Sequence, residues 1–244
     1  MTNKKTRAIA TLCIGAEAEK YGIFSHPAMN QYAREVDADF IVISKRKINL
    51  TGVHNFNPIL FEKYQLYEIL ENYDRVLYVD TDVLITPNAP NIFEIVAKNN
   101  IGGVFEDFGT EKEDRRKIMK CVQEKLGDVG WRKGYMNSGV FLVSKMHRKI
   151  FRMYEKYGIY DGEYEQTNTN WYIRKAGFNI QEIDYKFNFM GLMRIFYGPF
   201  HRNAYFIHYA GKGGLFPWIP KLQQLENDFE YFYKNGGNPS FEEL

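Results

Sequence analysis

The stretch Arg75-Val-Leu-Tyr-Val-Asp80-Thr81-Asp82-Val-Leu-Ile85 decides the fold. Its run of β-branched and aromatic residues is that of a strand buried in a parallel sheet. Two carboxylates at i and i+2 interrupt the run where it should leave the sheet. Strand alternation puts Asp80 and Asp82 on one side. Two like charges side by side in an apolar setting are costly unless a cation lies between them. A hard divalent ion held there keeps coordination positions open for phosphate oxygens, and the carboxyl ends of strands in open α/β sheets are where ligands bind. A solvated turn carrying two acids is the alternative reading of the same residues.

Outward from this stretch, residues 8–14 and 40–44 read as earlier strands, and 101–105, 135–144 and 204–209 as later ones. Helical patterns fall between them. One spans 27–36, with Pro27 in its first turn after a Ser25 or His26 cap, and one runs from an Asn57 cap and Pro58 to about Leu70. Others cover 92–98, 147–157 and 165–176, the last stopped by Gly177, and an aromatic-rich helix closes the chain. Short apolar strands alternating with helices predict an α/β fold with a Rossmann-like, mostly parallel central sheet flanked by helices. With no repeat, linker or compositional boundary, residues 1–244 read as a single domain.

Composition narrows the function. A net charge of +2, from 32 basic and 30 acidic residues, is too balanced for a nucleic-acid or anionic-membrane partner. The densest charge run, Glu111-Lys-Glu-Asp-Arg-Arg-Lys117, alternates in sign and reads as a solvated helix face. Cys13 in an apolar strand and Cys121 in a charged helix predict two free thiols in a reducing compartment. Met1-Thr-Asn-Lys-Lys-Thr is followed by no apolar signal core, and no run reaches membrane-spanning length. The expectation is a cytoplasmic protein without a transmembrane segment, in the host cytoplasm if the source is viral. Aromatic residues make up 16% of the chain, enough for a large core with some left to stack on flat sugar faces.

Other groups at predicted strand ends and helix starts join the aspartates. His208-Tyr-Ala-Gly211-Lys212 follows an apolar strand. An imidazole beside carboxylates suits Mn²⁺ better than Mg²⁺, the second choice. Gly211, Gly213 and Gly214 let backbone N–H groups approach phosphate, and Lys212 adds a positive point charge. A satisfied core histidine is the alternative for His208. Lys63 falls with Glu62 on the same helical face as Ile59, Leu66, Ile69 and Leu70. It either snorkels or pairs with an acid, or it reaches a diphosphate or the aspartates. Asn137-Ser138-Gly139 offers two short hydrogen-bonding side chains and a close approach to backbone, or simply a turn into a strand. Gln166 and Asn170 share one helix face, facing sugar hydroxyls or solvating a helix start.

The order of these pieces resembles the metal-dependent GT-A nucleotide-sugar glycosyltransferases, especially the family 8 and glycogenin-like group, with soluble glycosyltransferases of large algal viruses closer still. The residues that carry the resemblance are Thr11-Leu12, Tyr21, Lys63, Leu77-Tyr-Val-Asp80-Thr81-Asp82, Asn137-Ser138-Gly-Val140, Glu165-Gln166 and His208-Tyr-Ala-Gly211-Lys212. It implies Asp80, Asp82 and His208 as ligands of a manganese ion and a UDP-sugar as donor. It also places Thr11, Leu12 and Tyr21 near uracil and ribose, Lys212 near the phosphates, and Asn137, Ser138 and Gln166 near the transferred sugar. The nucleotide-binding half is then about 1–105, and the half for sugar and a glycan or other hydroxyl acceptor about 106–244.

Two features depart from the family pattern: Glu165 stands where an aspartate is usual, and Lys212 lies next to the glycine rather than further on. The resemblance implies retention of anomeric configuration. No carboxylate stands out as a nucleophile, so a same-face route follows, with Asp82, Asn137 and Gln166 as the catalytic candidates and Asp107 or Glu165 as further acids. Two rivals remain. A phosphatase of the haloacid dehalogenase type carries its aspartates in the first strand and continues Gly-Thr, unlike this chain. A non-catalytic nucleotide- or glycan-binding domain could share the fold.

Overall fold

The computed structural model describes residues 6–50 and 58–236. Its strands are β1 (Arg7–Leu12), β2 (Asp39–Ile43), β3 (Arg75–Val79), β4 (Val83–Ile85), β5 (Ile101–Phe105), β6 (Met136–Ser144), β7 (Ile180–Glu182) and β8 (Phe206–His208). Its α-helices are α1 (Ala16–Glu35), α2 (Leu66–Asn72), α3 (Ile92–Ile95), α4 (Lys112–Leu126), α5 (Met153–Tyr157), α6 (Glu165–Lys175), α7 (Gly191–Tyr197) and α8 (Lys221–Phe229). Six strands form one sheet in the order β2-β1-β3-β6-β5-β7, parallel except for β6. β4 and β8 make a separate antiparallel ribbon.

Central position explains the apolar runs. Every residue of β3 and β6 is buried, and strand alternation splits their side chains between two cores. Ile9, Leu77, Val79, Val140 and Leu142 face a cluster that includes Met29 and Tyr32 of α1 and Phe206 and Ile207 of β8. Ala8, Val76, Tyr78, Phe141 and Val143 face the other, with Leu66 and Leu70 of α2 and Trp171 and Tyr172 of α6.

Several expected elements shift. α1 starts at Ala16, not near Pro27, which lies inside the helix. Its added turns bury Gly22 and Ser25, small residues without an apolar signal, while Glu17 and Glu19 complement the positive end of the helix. The expected cap Asn57 lies outside the described residues. From Pro58 to Gln65 the chain winds as a 3₁₀ helix, and α2 continues it. Lys145–Arg152 is likewise 3₁₀ before α5. α3 stops at Ile95, where the buried guanidinium of Arg75 donates to the carbonyls of Phe93 and Val96 in place of the N–H groups that another helical turn would supply. Both cysteines are free thiols. No described helix is long and apolar enough to cross a membrane.

One hydroxyl ties α1 to the segment before α3. Tyr32 donates to the Pro90 carbonyl (2.7 Å) and accepts from the Ile92 N–H (3.0 Å). Tyr32→Phe strands both backbone groups in the core and is expected to cost about 1–3 kcal/mol. Urea denaturation should show a lower midpoint at unchanged slope; an unaltered midpoint means the bridge contributes nothing.

Candidate active site

Asp80 and Asp82 lie just beyond the end of β3, so strand alternation does not bring them together. A tight turn does: the Val83 N–H donates to the Asp80 carbonyl (3.1 Å), and the Asp80 N–H is anchored on the Gly139 carbonyl (2.7 Å). The chain then enters β4, whose Val83 pairs with His208 of β8, and the Tyr209 N–H donates to the Asp82 carbonyl at 3.0 Å. This register sets His208 beside the turn. One ligand atom from each of Asp80, Asp82 and His208 falls within 4.8 Å of the others.

Each ligand candidate is oriented by partners. Asp80 accepts from the Tyr78 hydroxyl (2.7 Å) and pairs with the Lys63 ammonium at 3.1 Å. Asp82 faces His208 Nε2 at 3.5 Å and Lys221 Nζ at 2.6 Å. Burial pushes the Asp82 carboxyl up, but His208 and Lys221 outweigh it and hold the group well below the usual carboxylate range. Burial likewise opposes the charge on Lys63, and Asp80 and Glu165 overcome it and raise the ammonium above its ordinary value.

An amide relay fixes the histidine tautomer. Asn188 donates through Nδ2 to Asn137 Oδ1 (2.9 Å), so its own Oδ1, 2.8 Å from His208 Nδ1, accepts. The proton therefore sits on Nδ1, and in the neutral ring the Nε2 lone pair faces the Asp82 carboxylate. The protonated ring donates from Nε2 to Asp82, the interaction that lowers the carboxyl, and the neutral ring offers that lone pair to a cation instead. Oxygen and nitrogen donors with an oriented imidazole fit a divalent ion. Gly139 completes the arrangement in an unexpected way. A Cβ there would come within 2.2 Å of His208 Cε1, so the close approach it permits is that of the protein's own imidazole.

Beside this cluster lies a second polar set. Gln166 accepts from the Ser138 N–H (2.9 Å) and donates to Glu106 (2.9 Å). Glu106 also accepts from Asn137 (2.7 Å) and forms an ion pair with Arg115, which leaves the charged face of α4 to reach it at 2.5 Å. Glu165 accepts from the Ser138 hydroxyl and pairs with Lys63, both at 2.7 Å. Asn170 is a structural clamp, with its carboxamide bonded to the N–H and carbonyl of Met136.

The structure thus brings together Asp80, Asp82, His208, Lys63, Asn137, Ser138 and Gln166. Thr81 turns toward α1, where its carbonyl accepts from Ser25 (2.7 Å) and its hydroxyl meets His26 (3.2 Å). Thr11 and Leu12 are buried at the end of β1, the Thr11 hydroxyl without a hydrogen-bond partner among the described residues. Tyr21 lies on α1 with Lys221 Nζ 5.1 Å from its ring. Gly211, at φ 68°, offers its carbonyl to Lys221 (3.1 Å), and Lys212 is exposed in the next position. Sequence reasoning missed Glu106, Asn188, Arg115 and Lys221. Glu106 was detectable, because it follows strand 101–105 as Asp80 follows strand 75–79. The other three carry no local signal.

The sequence profile described as glycosyl transferase family 8 matches residues 22–219. The chain belongs to glycosyl transferase family 8. No curated protein matches it significantly. Among solved structures, this family 8 glycosyltransferase is similar to one involved in glycosylation of the major capsid of PBCV-1, at 14% identity and TM-score 0.57 over 90% of this chain and 99% of that one. It is also similar to the galactosyltransferase LgtC, solved with donor and acceptor sugar analogues, at 19% identity and TM-score 0.61 over 93% and 96% of the two chains. GlyE of Streptococcus pneumoniae TIGR4 matches at 16% identity and TM-score 0.56, over 99% of this chain and 67% of that one. At these identities the likeness is one of fold, and it agrees with the mostly parallel GT-A sheet.

Because Asn188 fixes the imidazole, Asn188→Ala is expected to weaken divalent-ion affinity by about 10–100-fold, the usual cost of losing an orienting partner. A Mn²⁺ titration checks this; unchanged affinity in the folded variant removes the relay from the site.

Proposed function

We propose that this glycosyltransferase moves a hexose-type sugar from a UDP-sugar to a hydroxyl acceptor, a glycan or other alcohol, with retention of configuration. The observation that carries the reading is the convergence of Asp80, Asp82 and a His208 whose Nδ1 proton is committed to Asn188. These three residues would hold the metal, Mn²⁺ by donor type with Mg²⁺ as the second choice. When bound, the ion supplies Lewis-acid neutralisation of the charge that grows on a departing diphosphate.

The remaining roles belong to the chain. Thr11, Leu12 and Tyr21, at the end of β1 and on α1, line the nucleoside end. Lys63 pairs with both Asp80 and Glu165 and fixes their positions. Ser138 and Asn137 present the sugar-side wall, and the Gln166 carboxamide cannot rotate, because its oxygen is held by the Ser138 N–H and its nitrogen by Glu106. Such preorganised dipoles stabilise charge developing at the anomeric centre without reorganising. Retention is supported by the state of the nearby acids. Glu106 accepts from two amides and is ion-paired with Arg115, and Glu165 is gripped by Lys63 and Ser138, so neither is free to attack the sugar. A same-face transfer follows, in which the acceptor proton passes to the leaving phosphate oxygen.

Asp82→Ala is expected to abolish UDP release from a panel of UDP-sugars in Mn²⁺ while the protein stays folded, since Asp82 lies in the turn after β3 and its side chain is not part of the apolar core. Near-normal turnover by the folded variant sinks the metal-site reading. Metal and UDP should also stabilise the wild type together far more than separately. At a hundredfold excess over the dissociation constant the gain is about 2.7 kcal/mol, or a melting shift of roughly 5–10 °C for a chain this size. Equal, independent shifts from the two ligands would refute a shared site.

A further inference from the structure

Lys221 opens α8 directly after Pro220. Its ammonium is 2.6 Å from Asp82 Oδ2, 3.1 Å from the Gly211 carbonyl and 5.1 Å from the centre of the Tyr21 ring. This is a built position, and the side chain is only 16% exposed. The buried Gln224 carboxamide accepts from the N–H groups of Leu215 (2.9 Å) and Phe216 (3.0 Å) and donates to the carbonyls of Gly213 (2.9 Å) and Ile219 (2.7 Å). That one side chain folds the segment after His208 back onto the first turn of α8, which returns Lys221 to Asp82. The two carboxylate oxygens then face different partners: Oδ1 looks toward His208 and Oδ2 holds the lysine.

We propose that Lys221 is a displaceable internal counter-cation, which neutralises Asp82 while the donor is absent and moves onto the donor's diphosphate when it binds. The inference rests on the metal and diphosphate reading above. An ammonium and a divalent ion on one carboxylate repel each other, so the ion binds weakly while Lys221 remains on Oδ2. A diphosphate gives the ammonium a more highly charged partner within the sweep of its flexible four-carbon stem. The repulsion falls as the nucleotide arrives, and metal and nucleotide bind as a pair. Tyr21 on one side and the Gly211 carbonyl on the other define the path along which the ammonium travels. Lys212, exposed in the preceding turn, has no such place on the aspartate.

The test is Mn²⁺ binding by the whole chain, followed through the electron-paramagnetic signal of free ion, with and without UDP. Wild type should bind Mn²⁺ weakly alone and much more tightly with UDP, within the 5–150-fold range common for coupled sites. In Lys221→Met, Mn²⁺ alone should bind about tenfold tighter, and the enhancement by UDP should shrink to a few-fold or less. Lys221→Gln should behave the same way, and melting of the unliganded variants verifies that both fold. Unchanged or weaker Mn²⁺ binding without UDP in both variants overturns the proposal and leaves the metal site standing. No saturable Mn²⁺ binding by wild type, with or without UDP, overturns the metal reading itself.

Discussion

The site depends on one antiparallel pairing, Val83 opposite His208. β3 delivers its aspartates from the first half of the chain, and β8 arrives from the far end of it. Among the described residues no hydrogen bond of the main sheet links the two, because the ribbon of β4 and β8 stands outside it. The backbone bond from Tyr209 to Asp82 continues the ladder past the strand end and locks the register at the point where the ligand atoms meet. A slip of one residue would turn the imidazole to the opposite face of the ribbon. Tight placement of a side chain at the join is therefore a property of the backbone ladder, reinforced by the core packing of Phe206 and Ile207.

The polar interior around that join is a set of charges held in place at a cost in solvation. Buried Lys63 pairs with Glu165 and half-buried Asp80, and buried Asp228 is held by Arg202, His201 and the Tyr209 hydroxyl. Buried ion pairs of this kind contribute little net stability, since desolvation consumes most of the Coulomb gain. Their effect is positional. Asp80 is held by Lys63 and Asp82 by Lys221, so each carboxylate of the cluster has its own ammonium.

The strand ends could be read from the sequence because buried strands advertise themselves by unbroken apolar runs, and a charge that ends such a run is conspicuous. Asp80, Asp82 and His208 were found in this way, and so was the mostly parallel sheet. The reason given for the aspartates was wrong in mechanism, since a turn unites them and not the pleat. The long first helix was hidden by Gly22 and Ser25, small residues that pack without registering as apolar. Lys221 and Asn188 were invisible because a loop clamp and an amide relay place them, and both arise only once distant segments have met. Lys212 drew attention by adjacency to a glycine, whereas the cation that reaches Asp82 comes from a helix further along the chain.

Gly139 carries a consequence for how the protein can change. Its missing side chain is the space into which the imidazole of position 208 fits. A larger residue at 139 is tolerable only in a background where 208 is no longer histidine, and a histidine at 208 is tolerable only over glycine. The two positions are thus epistatic, although they lie on strands of different sheets. A double-mutant cycle across them measures a steric exclusion instead of an attraction, and a mutational library that varies position 139 alone over His208 samples almost entirely crowded combinations.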